Sequence, residues 1–311
     1  MNLTSVLATT TAALALLAGT PALADAHMDK ADAAVAVEAD LPAGPEGPAL
    51  WKVADEDTTI YLFGTVHVLP ADTKWYDVEI AEALAASDTV VTELKMTPED
   101  EAAMQQLSMQ RGMIEGGGTL RALLNEEQNA AYEAALAGLG VPAGAFDPFE
   151  PWLAGLTLTM LPVLQQGYDL NSGVDKVILS KAGALPQDAL ETAEFQLGIF
   201  DGLDEAKQIE FLMSAVEGVD EAKATLDEMV SEWIAGDADA LAETMNEAME
   251  DPELAEALLY TRNANWADWI DTRLDTTPGT VFMAVGAGHL AGERSVQDYL
   301  AERDIEVVRV Q

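Results

Sequence analysis

The chain has 311 residues, nearly half of them apolar, enough for a sizeable core in one large domain or two small ones. Its 55 acidic residues against 15 basic ones give a formal charge of −40, so the surface repels nucleic acid and anionic lipid. It has no cysteine, which excludes disulfides, thiolate metal sites, cysteine nucleophiles and a lipidated cysteine anchor.

The first 24 residues carry no charged side chain; an apolar run from Val6 to Leu17 leads to Pro21 and Ala22-Leu23-Ala24. The small-x-small ending predicts a signal peptide cleaved after Ala24, and the run is too short to span a bilayer. Residues 25–48 are rich in Ala, Asp, Gly and Pro and read as a flexible leader, with His27 inside it. No later stretch is long and apolar enough to span, so the expectation is a periplasmic or secreted protein with no membrane span after cleavage.

Leu50–Ala54 and Thr59–Phe63 read as a hairpin joined at Asp55-Glu56-Asp57. Asp77–Ala86 has helical spacing, and Thr89–Leu94 is rich in β-branched residues, as a core strand is. Strand, helix and strand in so short a span predict a parallel βαβ unit. From Pro98 to about Arg273 the chain reads as mostly helical, with a capping-box start at Asn125 to Gln128 and an apolar core helix from Pro151 to Gly167. A short strand is expected within Ala184–Glu191. The chain ends with a strand at Thr280–Val285, a helix near Ser295–Arg303 and a strand at Glu306–Val310. The fold class is therefore α/β: one domain over residues 49–311, with a central mixed sheet built from N- and C-terminal strands and a helical insertion or cap over about residues 98–273.

Two strands end alike. Tyr61-Leu-Phe-Gly64-Thr-Val-His67 and Val281-Phe-Met-Ala-Val-Gly286-Ala-Gly-His289 each run from apolar residues through a glycine to a histidine three positions on. Ligands gather beyond the carboxyl ends of parallel strands. Glu93 closes the strand Thr89–Leu94, so two imidazoles and a carboxylate converge if these strands are neighbours. That inventory suits a two-histidine, one-carboxylate metal site. It equally suits metal-free activation of water by one histidine as base, oriented by Glu93. Each histidine is also compatible with simply capping its strand.

Three further residues are candidates. Asp175 and Glu191 are either site carboxylates or ordinary acids of a helix's first turn. Arg262, on a segment with two tryptophans, could bind a substrate carboxylate, orient Glu93 by a bidentate bond, or form an ion pair at the edge of the core.

Taken in order, Leu50-Trp-Lys-Val53, Gly64-Thr-Val-His67-Val-Leu-Pro70, Glu93, Tyr168, Gly173-Val-Asp175, Leu190-Glu-Thr-Ala-Glu-Phe-Gln-Leu197, Arg262-Asn263 and Gly286-Ala-Gly-His289-Leu290 resemble the TraB/GumN family. The resemblance implies kinship with the Tiki proteases, which trim Wnt proteins with a divalent metal, and more distantly with erythromycin esterases and the haem-binding ChaN proteins. It implies that His67 and His289 are the family's two Gly-x-x-His histidines, Glu93 its acid and Arg262 its later arginine. The leading expectation is an exported metal-dependent hydrolase acting on a peptide or small molecule. His67, His289 and Glu93 would hold manganese, cobalt or zinc, and Arg262 would stabilise an oxyanion or bind a substrate carboxylate. The alternatives are a periplasmic protein that binds peptide, haem or metal without turnover, and a metal-free hydrolase with His67 as general base.

Overall fold

The structure, a computed structural model, describes residues 47–247 and 251–311. The expected signal peptide, His27 and all but the last two residues of the leader lie outside the described residues.

Strands β1 (Leu50–Ala54) and β2 (Thr58–Thr65) form the expected hairpin, Leu50 opposite Phe63. Its turn is held by Asp55 Oδ1, which accepts from the N–H groups of Asp57 and Thr58 at 3.0 and 2.7 Å. After β3 (Leu69–Pro70), helix α1 (Val78–Ala85) starts at Asp77, whose side chain accepts from Ile80 N–H, and β4 (Thr89–Thr92) follows. Helix α2 (Pro98–Arg111) opens with proline at its first position and a Thr97–Asp100 capping box. The insertion continues through α3 (Leu120–Leu123), α4 (Glu126–Gly138), capped by Asn125 and Gln128 as expected, and α5 (Pro151–Gln165), buried along nearly its whole length. Two-residue β5 (Tyr168–Asp169) pairs with β3, a ladder too short to leave a sequence pattern.

Then come α6 (Val174–Ala182), β6 (Gln187–Ala189), α7 (Ala193–Asp201), α8 (Glu205–Gly218), α9 (Ala222–Ile234) and α10 (Ala238–Glu247). Helix α11 (Pro252–Ala255) runs through a π-helical turn, Glu256–Tyr260, into α12 (Thr261–Thr276). Strand β7 (Gly279–Gly286), a 3₁₀ turn at Ala287–Leu290, α13 (Val296–Ala301) and β8 (Val307–Arg309) complete the chain.

The main sheet has the order β6–β4–β7–β2–β1–β8. Strands β6, β4, β7 and β2 are parallel; β1 is antiparallel to β2 and to β8. The expected βαβ unit is thus corrected in one respect: β2 and β4 are not neighbours, because β7 lies between them. Composition explains the order. Residues 281–286 of β7 are all buried, and such a strand belongs in the middle of a parallel sheet covered on both faces. Polar β6 (Gln-Asp-Ala) takes the edge.

One sheet face packs on α1, α6 and α9, and the other on α12 and α13. The insertion has its own apolar core, centred on α5, Tyr132, Phe200 and Phe211. Gly155 lets α5 press against α8, since a Cβ there would lie 2.8 Å from the Phe211 ring. Among the described residues no helix is long and apolar enough to cross a membrane.

Candidate functional site

The carboxyl ends of four parallel strands deliver the charged residues side by side. Glu191 lies two residues beyond β6, Glu93 one beyond β4, His289 three beyond β7 and His67 two beyond β2. Pairing continues past β6, with Glu191 N–H donating to Glu93 C=O at 2.9 Å, which sets the two carboxylates next to one another. Glycine brings the two histidine turns together: a Cβ on Gly64 would stand 3.0 Å from Ala287 Cα. His67, Glu93, Arg262 and His289 are all buried.

Arg262, near the start of α12, is the hub. Its Nε and Nη2 grip Glu191 in a fork at 2.8 and 2.9 Å, Nη2 also reaches Glu93 Oε2 at 2.6 Å, and Nη1 donates to Leu258 C=O at 2.8 Å. Leu258 belongs to the π-helical turn, so the arginine uses a carbonyl at an irregularity of its own helix. Nη1 is also 3.1 Å from His289 Nε2. Every N–H of the guanidinium therefore has an acceptor within the protein. The bidentate partner is Glu191; Glu93, one of the partners the sequence allowed, takes a single bond, and no donor is left over for a substrate carboxylate or an oxyanion.

Glu93 is further held by Gly286 N–H at 2.7 Å and Gln196 Nε2 at 3.0 Å; the same amide nitrogen reaches Glu191 at 2.8 Å. Burial pushes the Glu93 carboxyl up. Arg262 foremost, then the two imidazoles and the Gly286 N–H, outweigh that and hold it down at about 2. Trp266 Nε1 donates to Glu191 at 2.9 Å, and its ring lies 4.2 Å from the His289 ring. His289 Nδ1 is 2.6 Å from Asn263 Oδ1, and Asn263 Nδ2 donates to Arg294 C=O at 2.8 Å. The amide is thus oriented with its oxygen toward the ring. The hydrogen then sits on Nδ1, and the Nε2 lone pair faces Arg262.

His67 stands apart from that network. Its Nδ1 is 2.8 Å from Asp175 Oδ1, and its buried Nε2 has no hydrogen-bond partner. Asp175 is in the first turn of α6, which docks through Val174 N–H to Val66 C=O at 2.9 Å. Burial works to lower the His67 pKa. The Asp175 carboxylate, with Glu93 beyond it, outweighs burial and the opposing Arg262 and holds it above the ordinary 6.5.

Residues 49–309 match the model of the TraB/PrgY/gumN family. The chain belongs to the TraB/PrgY/gumN family. No curated protein and no solved structure matches it.

The divalent ion implied by the TraB/GumN resemblance can be tested against the donor set. His67 Nε2, buried with an open lone pair, fits one metal ligand. His289 and Glu93 do not complete the set in this arrangement, because Nε2 of the one and Oε2 of the other already face the same guanidinium. An ion bound by both would press a second cation into a buried pocket that Arg262 fills. Among the described residues no group of three or more histidines and carboxylates is disposed to hold an ion.

Asn263, Gln196 and Trp266 carry site contacts that sequence reasoning had not assigned. The signal was there for α12: residues 262, 263 and 266 share one helical face. Gln196 was marked only as part of the family-like stretch Leu190–Leu197, with no role attached to it.

Proposed function

We propose that this TraB/PrgY/gumN chain is an exported hydrolase in which His67, oriented by Asp175, is the general base. The observation that carries the reading is the buried His67–Asp175 pair at 2.8 Å with the far ring nitrogen unpartnered. Asp175 fixes the hydrogen on Nδ1 and steadies the imidazolium that forms when Nε2 takes a proton. In the reaction, Nε2 removes a proton from water as its oxygen bonds to the electrophilic carbon of the substrate. The same proton then passes to the leaving group as its bond to that carbon breaks. Arg262 serves differently, holding Glu93, Glu191 and His289 in place as one wall of the site. His67 is closed to solvent here, so substrate reaches it only when the covering chain opens.

The experiment is a pH–rate profile on mixed peptide and ester substrates, with and without chelator. Wild type should lose activity as pH falls through the raised His67 pKa, since only the neutral ring accepts a proton. Asp175→Asn removes the group that raises that pKa, so its limb should move to lower pH while the plateau drops by about 10²-fold or more. Chelator should change neither. Loss of activity on chelation, restored by manganese, cobalt or zinc, returns the site to the metal reading; an Asp175→Asn profile identical to wild type removes His67 from the chemistry.

A further inference from the structure

Beside the charged cluster runs a groove of about 630 Å³ between α2 and the turn that leads from β6 into α7. Its apolar lining includes Leu94, Met104 and Leu107. One wall is a face of α2, with Asp100, Ala103, Met104, Leu107 and Gln110 recurring at helical spacing. The other carries Asp188, Glu191 and Glu194. The groove ends on the site, because Glu191 both lines it and takes the Arg262 fork.

Its charge is one-sided. Lys95 is the one base in the lining, and it stands 3.9 Å from Asp188. Asp100 on one wall and Glu194 on the other add further negative charge across the channel. Next to Glu194, Phe195 is 44% exposed at the start of α7, an aromatic ring left in solvent beside a groove.

We infer that this groove takes an extended peptide segment with basic side chains flanking an apolar one. The inference rests on the hydrolase reading for calling that peptide a substrate. Length favours a peptide over a small amine: from Asp100 to Gln110 the α2 wall runs about 15 Å at 1.5 Å per residue, the span of about four or five extended residues. The apolar lining takes the apolar side chain, and the carboxylates of Asp100, Asp188 and Glu194 take the basic ones, Glu191 being already matched by Arg262.

The test is fluorescence anisotropy of labelled hexapeptides with the full chain at about 0.15 M salt, where long-range attraction is largely screened. His67→Ala binds without turning over; His67→Gln replaces it if the alanine variant does not fold. A hexapeptide alternating Lys and Leu should bind, and its Glu–Leu counterpart should not. Gln106→Lys with Glu194→Lys adds three positive charges in the groove and should weaken the Lys–Leu peptide by about fivefold or more. Ala301→Lys with Glu302→Lys adds the same charge at the C-terminal end of α13, outside the groove lining, and should change binding by less than about twofold. Ala103→Trp fills the groove without altering charge and should abolish binding. Equal weakening by the two charge variants would mean diffuse attraction to an acidic protein, and would overturn the inference, as would binding that survives Ala103→Trp. Binding as expected, with no cleavage by wild type, would instead sink the hydrolase reading and leave the groove standing.

Discussion

Arg262 decides what the buried cluster is. A guanidinium with no exposure, between two carboxylates that are themselves nearly closed to water, is stable only because every group is paired. Removing the partner of a buried charge costs more than the pair contributes, since the remaining charge stays desolvated. Arg262→Met leaves Glu93 and Glu191 facing each other uncompensated and should cost about 3–5 kcal/mol in urea unfolding. Arg262→Lys restores the charge but not the fork, because an ammonium on a flexible stem cannot reach both carboxylates in their present geometry. It should recover part of the loss. A Met variant as stable as wild type would mean that the carboxylates escape to water or take up protons. The sequence marked this arginine through the scarcity of bases and its place on a segment with two tryptophans. It could not assign the partner, because Glu191 and Glu93 approach only after two parallel strands align.

At the scale of elements, the site depends on how closely α6 lies over the His67 turn. Gly173 allows it: a Cβ there would fall 2.2 Å from His67 O and 3.0 Å from its carbonyl carbon. Gly173→Ala must therefore displace the start of α6, and Asp175 moves with it. The expected result is destabilisation of about 1–3 kcal/mol together with a His67 pKa, followed by imidazole NMR, that falls from its raised value. Gly198→Ala, where nothing lies within 4 Å of the added carbon, should be neutral or slightly stabilising. If both substitutions leave the His67 titration alone, Asp175 does not depend on this contact. The Gly-x-x-His turns, the hairpin and the capped helices were legible because each is a local pattern of a few residues. The place of β7 between β2 and β4 was not, since strand order is fixed by which apolar run is buried on both faces once all are present. Asp175 and Glu191 fell between: one is in the first turn of a helix and the other just precedes a helix cap, both places where an acid is ordinary, and only their long-range partners mark them as site residues.

For the whole molecule, the formal charge of −40 and the buried cluster respond to solution conditions in different ways. Exposed carboxylates repel one another over distances that salt screens, about 10 Å at 0.1 M and about 3 Å at 1 M, whereas the Arg262 network is sheltered from ions. The melting temperature should therefore climb as sodium chloride rises from 0.05 to about 1 M, with Arg262→Met gaining at least as much as wild type. The pH dependence follows from two buried groups whose shifts have opposite sign. His67 binds its proton more tightly folded than unfolded, so its contribution is fully present below 6.5 and is lost as pH climbs through the raised folded value. Glu93 is held down, so its contribution is present above 4.5 and is lost as pH falls toward about 2. Together they place the stability maximum in the window between 4.5 and 6.5, on the acid side of neutrality, where partial neutralisation of surface carboxylates acts in the same direction. Thermal melts from pH 3 to 9 at low and high salt measure both effects, and His67→Gln should flatten the decline above pH 6.5 without touching the acid limb. A melting temperature that is indifferent to salt would mean that the surface charge is already compensated, and a decline above pH 6.5 that persists in His67→Gln would assign it to another group.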